Sequence, residues 1–173
     1  KTYKMPVIIM NCSNNYGSFQ FFEKLIPTVI AKIEKNQNVG LYGKGLNFRD
    51  WIYVKDHVNA IYYLLKRGKV GHIYNIGSGK SFSNKIIVNK IYKIMEKIKN
   101  KKIPRKIIYV KDRPGHDKKY IIDNSKIKKL GWKLKTSLED GLEKTIYWYL
   151  KKNNKSLFKS QNYKHNRIGK DLK

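Results

Sequence analysis

The chain of 173 residues is long enough for one domain with a real core, and its 3 Trp, 13 Tyr and 6 Phe supply large rings to bury, which excludes a disordered polymer. No run of about 18 apolar residues occurs, so no membrane-spanning helix is expected, and the apolar part of KTYKMPVIIMNCSNN is too short for a secretory signal. The single Cys12 excludes an internal disulfide and fits a reducing cytoplasm, while a net charge of +27 raises the question of a polyanionic partner.

In chain order, PVIIM (6–10) is a short apolar run and predicts a buried strand. FFEKLIPTVIAKIEKNQ (21–37) predicts a helix in which Pro27 marks a kink or a restart. NVGLYGKG (38–45) predicts a short strand with glycine turns, and DWIYV (50–54) another strand. KDHVNAIYYLLKRG (55–68) has helical periodicity and ends at Gly68. HIYNIG (72–77) predicts a strand, and SNKIIVNKIYKIMEKIKN (83–100) an amphipathic helix with Ser83 as N-cap. KIIYV (106–110) is the next strand, and NSKIKKLG (124–131) a short helix closed by Gly131. Thr136 and Glu139 have the spacing of a capping box ahead of LEDGLEKTIYWYLKK (138–152). Residues 153–173 are polar and basic and are expected to be poorly ordered. Strands alternate with helices, which predicts an α/β architecture with parallel pairing, although no G-x-G-x-x-G follows any strand.

YNIGSGKS (74–81) resembles a phosphate loop, since Gly79, Lys80 and Ser81 match the end of G-x-x-x-x-G-K-S/T. The first glycine of that pattern falls on Tyr74, whose ring would occupy the place where the loop must turn back. The charge has two readings. Clustered cations release counterions from nucleic acid, but lysine far outnumbers arginine here and is spread along the chain. Abundant Lys, Asn, Ile and Tyr together fit A/T-rich coding, so compositional drift is favoured over a nucleic-acid partner.

NCSNNYG (11–17), FFEKLIP (21–27), LYGKGLNFRDWIYVKDH (41–57), YNIGSG (74–79) and DRPGHDKKYIID (112–123) stand in the order found in the dTDP-glucose 4,6-dehydratase family. Residues 5 to 152 resemble the C-terminal half of that family. RDWIYVKDH is shared with epimerases and decarboxylases of the wider extended short-chain dehydrogenase/reductase group, whereas SNNYG, EKLIP and DRPGHD point to the dehydratase. The resemblance implies the last sheet strands of a Rossmann-like fold plus the smaller substrate-binding subdomain, over residues 1–152, with 153–173 as a basic tail. It implies a lyase that oxidises the sugar at carbon 4 with bound NAD, eliminates water across carbons 5 and 6 and returns the hydride to carbon 6. The product is dTDP-4-dehydro-6-deoxyglucose, a precursor of rhamnose and other deoxysugars. The glycine-rich turn, the Y-x-x-x-K pair and the acid/base carboxylates belong to the N-terminal half of the family, so no catalytic residue is assigned here, and a separate chain carrying that half is one expectation. A cytoplasmic homodimer is implied for the complete enzyme. Two Y-x-x-x-K matches, Tyr62 with Lys66 and Tyr147 with Lys151, are expected by chance in so Tyr- and Lys-rich a chain, and their tyrosines are read as core or boundary residues.

The resemblance places substrate recognition in this chain. Arg49 would face the diphosphate, where a guanidinium bonds bidentately. Asp112, Arg113, Pro114, Gly115 and His116 would close over the nucleotide side, and Asn84 would add a contact there. Lys24 and Leu25, with Gly40, Leu41 and Tyr42, would line the sugar-nucleotide and thymine pocket; Asn14 would touch substrate and Asn15 would touch NAD. Read without the resemblance, Arg49 is a surface partner of Asp50 or Asp56, Asn14 and Asn15 are turn formers, and residues 112–116 a solvated loop. His57 and His116 lack the further ligands of a metal site, and no metal is expected. The chain departs from the family's pattern in having Ser78 where a glycine is common, and Ser18 and Gly40 where prolines are common, which loosens loops near the site. A related UDP-sugar epimerase or decarboxylase is the alternative enzyme, and a basic nucleic-acid-binding module the alternative of another class.

Overall fold

A computed structural model describes residue 3, residues 5–151 and residue 154. The predicted tail thus lies, apart from Asn154, outside the described residues. The remainder is α/β with five helices and eight strands among the described residues. Strand β1 (Ile9–Cys12) pairs in parallel with β5 (Ile73–Ile76). Ser13 donates its N–H to the Ile76 carbonyl (2.9 Å), and the chain then changes partner, so that β2 (Asn14–Tyr16) runs parallel to β4 (Phe48–Tyr53). β4 also takes β6 (Ser81–Ser83) antiparallel and β8 (Lys119–Tyr120) parallel. β3 (Val39–Tyr42) and β7 (Ile107–Val110) form a separate parallel pair.

Strand β4 divides the interior because successive side chains of a strand point to opposite faces. Trp51 and Tyr53 enter a large core built from helices α1 (Leu25–Glu34), α3 (Asn84–Lys99) and α5 (Leu138–Leu150). Ile52, between them, enters a smaller core with Ala60 and Leu64 of α2 (Val54–Arg67), Tyr74 and Ile76 of β5, and Ile127 of α4 (Ser125–Lys129).

Local chemistry explains the element ends. Ser83 caps α3 by accepting from the Ile86 N–H (3.3 Å), as its position before the apolar periodicity predicts. Gly68 closes α2, and Gly131 follows α4 with φ +102°. Four expectations change. Helix α1 begins at Leu25, so Pro27 lies in the first turn, where the missing N–H has no helical acceptor to lose, and neither kinks nor restarts it. The cap of α5 is Ser137, which accepts from the Asp140 N–H (3.1 Å) and donates its hydroxyl to the Asp140 carboxylate (2.7 Å), one residue on from the expected Thr136–Glu139 pair. β1 is not a buried strand: Ile8 and Met10 touch the small core, but Ile9 and its neighbour Ile73 are about half exposed on the opposite face. Tyr62 and Tyr147 are exposed rather than core residues, and Lys66 Nζ lies over the Tyr62 ring at 4.4 Å. The short β2, β6 and β8 were not legible as strands, since two or three residues carry too little alternation to register.

Candidate functional site

Strand β4 and the starts of two helices enclose a cleft of about 360 Å³. Six of the expected binding residues meet there: Asn14, Asn15, Lys24, Leu25, Arg49 and Asn84. The topology explains the convergence. Asn14 stands opposite Trp51 in the β2–β4 register, and Arg49 stands opposite Phe82 in the β4–β6 register, two residues before Asn84 opens α3. Lys24 is the N-cap residue of α1 and Leu25 its first helical residue. The amino ends of α1 and α3 both reach the cleft, and neither helix has an acidic residue in its first turn. The first-turn N–H groups of α3 are already taken by Asn47, Gly45 and Ser83, so what the two helices offer is their positive dipole ends, which with Arg49 and Lys24 make this wall suited to an anion.

Arg49 is 9% exposed, and one guanidinium nitrogen donates to the Phe48 carbonyl (2.7 Å). The reading of Arg49 as a surface partner of Asp50 or Asp56 fails, because both carboxylates are buried and used elsewhere. Asp50 accepts from the Ser78 N–H and hydroxyl (both 2.8 Å) and the Gly79 N–H (3.0 Å). Asp56 accepts from the N–H groups of Lys135 (3.3 Å) and Thr136 (3.0 Å), fixing the entry to α5. This also settles the phosphate-loop resemblance of residues 74–81. The turn does wrap an anion, but the anion is the side chain of Asp50. Gly79 sits at φ +75°, a conformation glycine adopts freely, and Asn124 donates to the Gly77 carbonyl (2.6 Å) from the other side.

Asn14 and Asn15 are strand residues, not turn formers. Asn15 Nδ2 donates to Cys12 Sγ and to the Ser13 carbonyl (both 3.3 Å), and its Oδ1 is buried with no hydrogen-bond partner among the described residues. Two cleft residues escaped the sequence reading. Gln20 donates to the Asn15 carbonyl (2.7 Å), and Trp51 lies one pleat beyond Arg49. Gln20 Oε1 and Trp51 Nε1 are likewise buried without a partner among the described residues. The signals were present: Trp51 shares a strand face with Arg49 by period-two alternation, and Gln20 is the polar member of the aromatic run SFQFF.

The other expected residues lie outside this cleft, on the β3–β7 pair. Gly40, Leu41 and Tyr42 belong to β3, and Asp112 to His116 follow β7, whose Val110 stands opposite Tyr42. Leu41 is 1% exposed and its side chain belongs to the large core, so that side chain is not available to a ligand. Tyr42 is exposed, and its ring meets the His116 ring edge-on at 5.9 Å. The loop is not merely solvated. Asp112 Oδ1 accepts from the Arg113 N–H (2.9 Å) and lies 2.6 Å from His116 Nδ1. The His116 ring, followed by the Arg113 N–H, holds the Asp112 carboxyl below the usual carboxylate range. Burial pushes the His57 imidazole down, and no group of three His, Cys, Asp or Glu able to hold a metal occurs among the described residues.

Comparison with known proteins adds to this geometry. Residues 1–145 match the family model described as GDP-mannose 4,6 dehydratase. A dTDP-glucose 4,6-dehydratase of Escherichia coli is 45% identical over 157 residues, covering 89% of this chain and 44% of that protein. The crystal structure of dTDP-glucose 4,6-dehydratase from Bacillus anthracis in complex with NAD is 41% identical with a TM-score of 0.79, covering 88% of this chain and 47% of that one. The Streptomyces venezuelae dTDP-glucose 4,6-dehydratase, solved with NAD bound, is 34% identical with a TM-score of 0.81, covering 90% and 47%. The chain therefore spans under half the length of the relatives it matches. No helix among the described residues is long and apolar enough to cross a membrane. The α/β elements are those of a Rossmann-like extended short-chain dehydrogenase/reductase, as the motifs implied, and the chain belongs to the GDP-mannose 4,6 dehydratase family.

Proposed function

We propose that this chain is the sugar-nucleotide-binding portion of a dTDP-glucose 4,6-dehydratase, which converts dTDP-glucose to dTDP-4-dehydro-6-deoxyglucose and water. The observation that carries the reading is the cleft itself. A buried arginine without a carboxylate partner among the described residues, Lys24, whose ammonium is also held by Glu23 (2.7 Å), and two helices with no acidic residue in their first turns converge on one wall. A diphosphate satisfies that arrangement. Arg49 binds the diphosphate, with Asn84 beside it; Asn14 bonds the sugar; Tyr42 and His116 offer ring surfaces to the base, with Arg113 supplying a second cation over it.

The residues present also fit a contact to NAD. The buried Oδ1 of Asn15 is an acceptor in need of a donor, and its Nδ2 is already held, so the amide cannot turn away. When bound, NAD supplies the hydride acceptor that the oxidation requires. Its binding turn and the proton-transferring groups lie in a further portion of the enzyme, on the same polypeptide or on a separate one, and the complete enzyme is a homodimer in the cytoplasm. Residues 1–152 are the binding portion and 153–173 a basic extension. This chain holds the substrate and orients it, and none of its residues is assigned to proton transfer.

Calorimetric titration with dTDP, UDP and duplex DNA tests the reading. Binding of dTDP in preference to UDP is expected, and Arg49→Ala should weaken it roughly tenfold to a hundredfold, the worth of charge-assisted hydrogen bonds. Preference for UDP would instead support an epimerase or decarboxylase. Salt-sensitive DNA binding with no affinity for dTDP would support a nucleic-acid module and overturn the proposal.

A further inference from the structure

The predicted nucleotide residues fall in two places, the cleft and the loop of residues 112–116, and something must fix the distance between them. The linking segment is Asn47 to Arg49. Asn47 does not line the cleft, yet it is only 6% exposed. Its carbonyl accepts from the Asn84 N–H (3.1 Å), tying it to the first residue of α3. Its side-chain amide donates to the Asp117 carbonyl (3.3 Å), tying it to the residue after His116. The next residue, Phe48, donates its N–H to the Lys118 carbonyl (2.8 Å), and the one after that is Arg49.

We propose that Asn47 is a positioning residue that sets the spacing between the diphosphate end of the cleft, Arg49 and Asn84, and the nucleotide-side loop of Asp112 to His116. This inference rests on the sugar-nucleotide reading above. Its backbone grips one ligand-bearing element and its side chain the other, so replacing the side chain loosens the loop while leaving the Asn84 contact in place. The Asn47 amide also contributes, after His116 and Arg113, to holding Asp112 in its carboxylate form. A carboxylate at 112 keeps His116 and the Arg113 backbone in place, so the amide supports the loop at both ends. Asn47 acts through Arg113 and His116 and need not touch the ligand.

The test is a double-mutant cycle on dTDP affinity with Asn47→Ala and Arg113→Ala. Asn47→Ala should weaken binding about fivefold to tenfold, the worth of one neutral hydrogen bond with its knock-on to the loop. If Asn47 works through the loop, the double variant loses little beyond the larger single effect. Amide exchange should quicken over residues 112–118 but not at Asn84. Asn47→Ser, whose hydroxyl is too short to reach the Asp117 carbonyl, gives the same pattern and replaces the alanine variant if that one does not fold. Additive losses, unchanged affinity in the Asn47 variants, or unchanged exchange at 112–118 would overturn the positioning role while leaving the functional reading intact. Failure of the parent protein to bind dTDP would overturn both.

Discussion

Asp50→Asn is the most informative single change in this protein. Asp50 is fully buried, and its carboxylate takes three hydrogen bonds from the turn after β5. An asparagine keeps one carbonyl oxygen. Turned toward Ser78, it retains the bonds from the Ser78 N–H and hydroxyl in neutral and therefore weaker form. Its amide nitrogen then faces the Gly79 N–H, donor against donor. Leaving that buried N–H unsatisfied costs about 1–3 kcal/mol, and the loss of charge assistance on the other two bonds adds a comparable amount. Relief from desolvating a charge offsets part of it, so the net destabilisation is roughly 2–4 kcal/mol. Urea unfolding followed by tryptophan fluorescence measures this directly. The turn leads through β6, paired to β4 at Asp50–Ser81 and Arg49–Phe82, into Asn84, so dTDP affinity should fall with stability. A variant within about 0.5 kcal/mol of the parent, in the range of ordinary surface changes, would refute the assignment of the turn as a carboxylate-binding device.

Three further predictions follow from particular contacts. Lys80→Ala should leave nucleotide affinity unchanged, because Asp50 already occupies the N–H groups of the turn; calorimetry showing a tenfold loss would restore the phosphate-loop reading. Gly141→Ala, usually stabilising in a helix, should here destabilise by about 1–3 kcal/mol in thermal melts, since the new Cβ would lie 2.2 Å from the hydroxyl of buried Tyr16 and overpack the core; a raised melting temperature would contradict the packing. The Arg105 guanidinium, aided by the Ile103 N–H, holds the Glu96 carboxyl down at about 2, from an ordinary 4.5. A depressed carboxyl stabilises the fold fully above its unfolded value and loses that contribution as pH falls through its folded one, so Glu96→Gln should flatten the stability profile between about pH 4.5 and 2; an unchanged acid limb would refute the pairing.

Much of the fold was legible because it rests on local chemistry. Ser83 before an amphipathic run and Gly131 after α4 act through their own residues, and the structure places them as read. The site was partly legible: six of the residues singled out by motif do meet in the cleft. Leu41 differs because a residue's face depends on what packs against its strand, and the large core claims that side chain. Asp50 differs for a similar reason. Beside an arginine it reads as a surface partner, and only the arrival of a turn 28 residues on makes it a buried anchor.

The sequence by itself determined the alternation of strands and helices, the absence of an internal disulfide and the family motifs, since these depend on composition, periodicity and spacing within a few residues. Tertiary structure alone decided which glycine turn holds an anion, which anion it holds, and which of two cores each face of β4 enters. Those outcomes are set by contacts between segments tens of residues apart, and no local window of the chain encodes where its partners will come from.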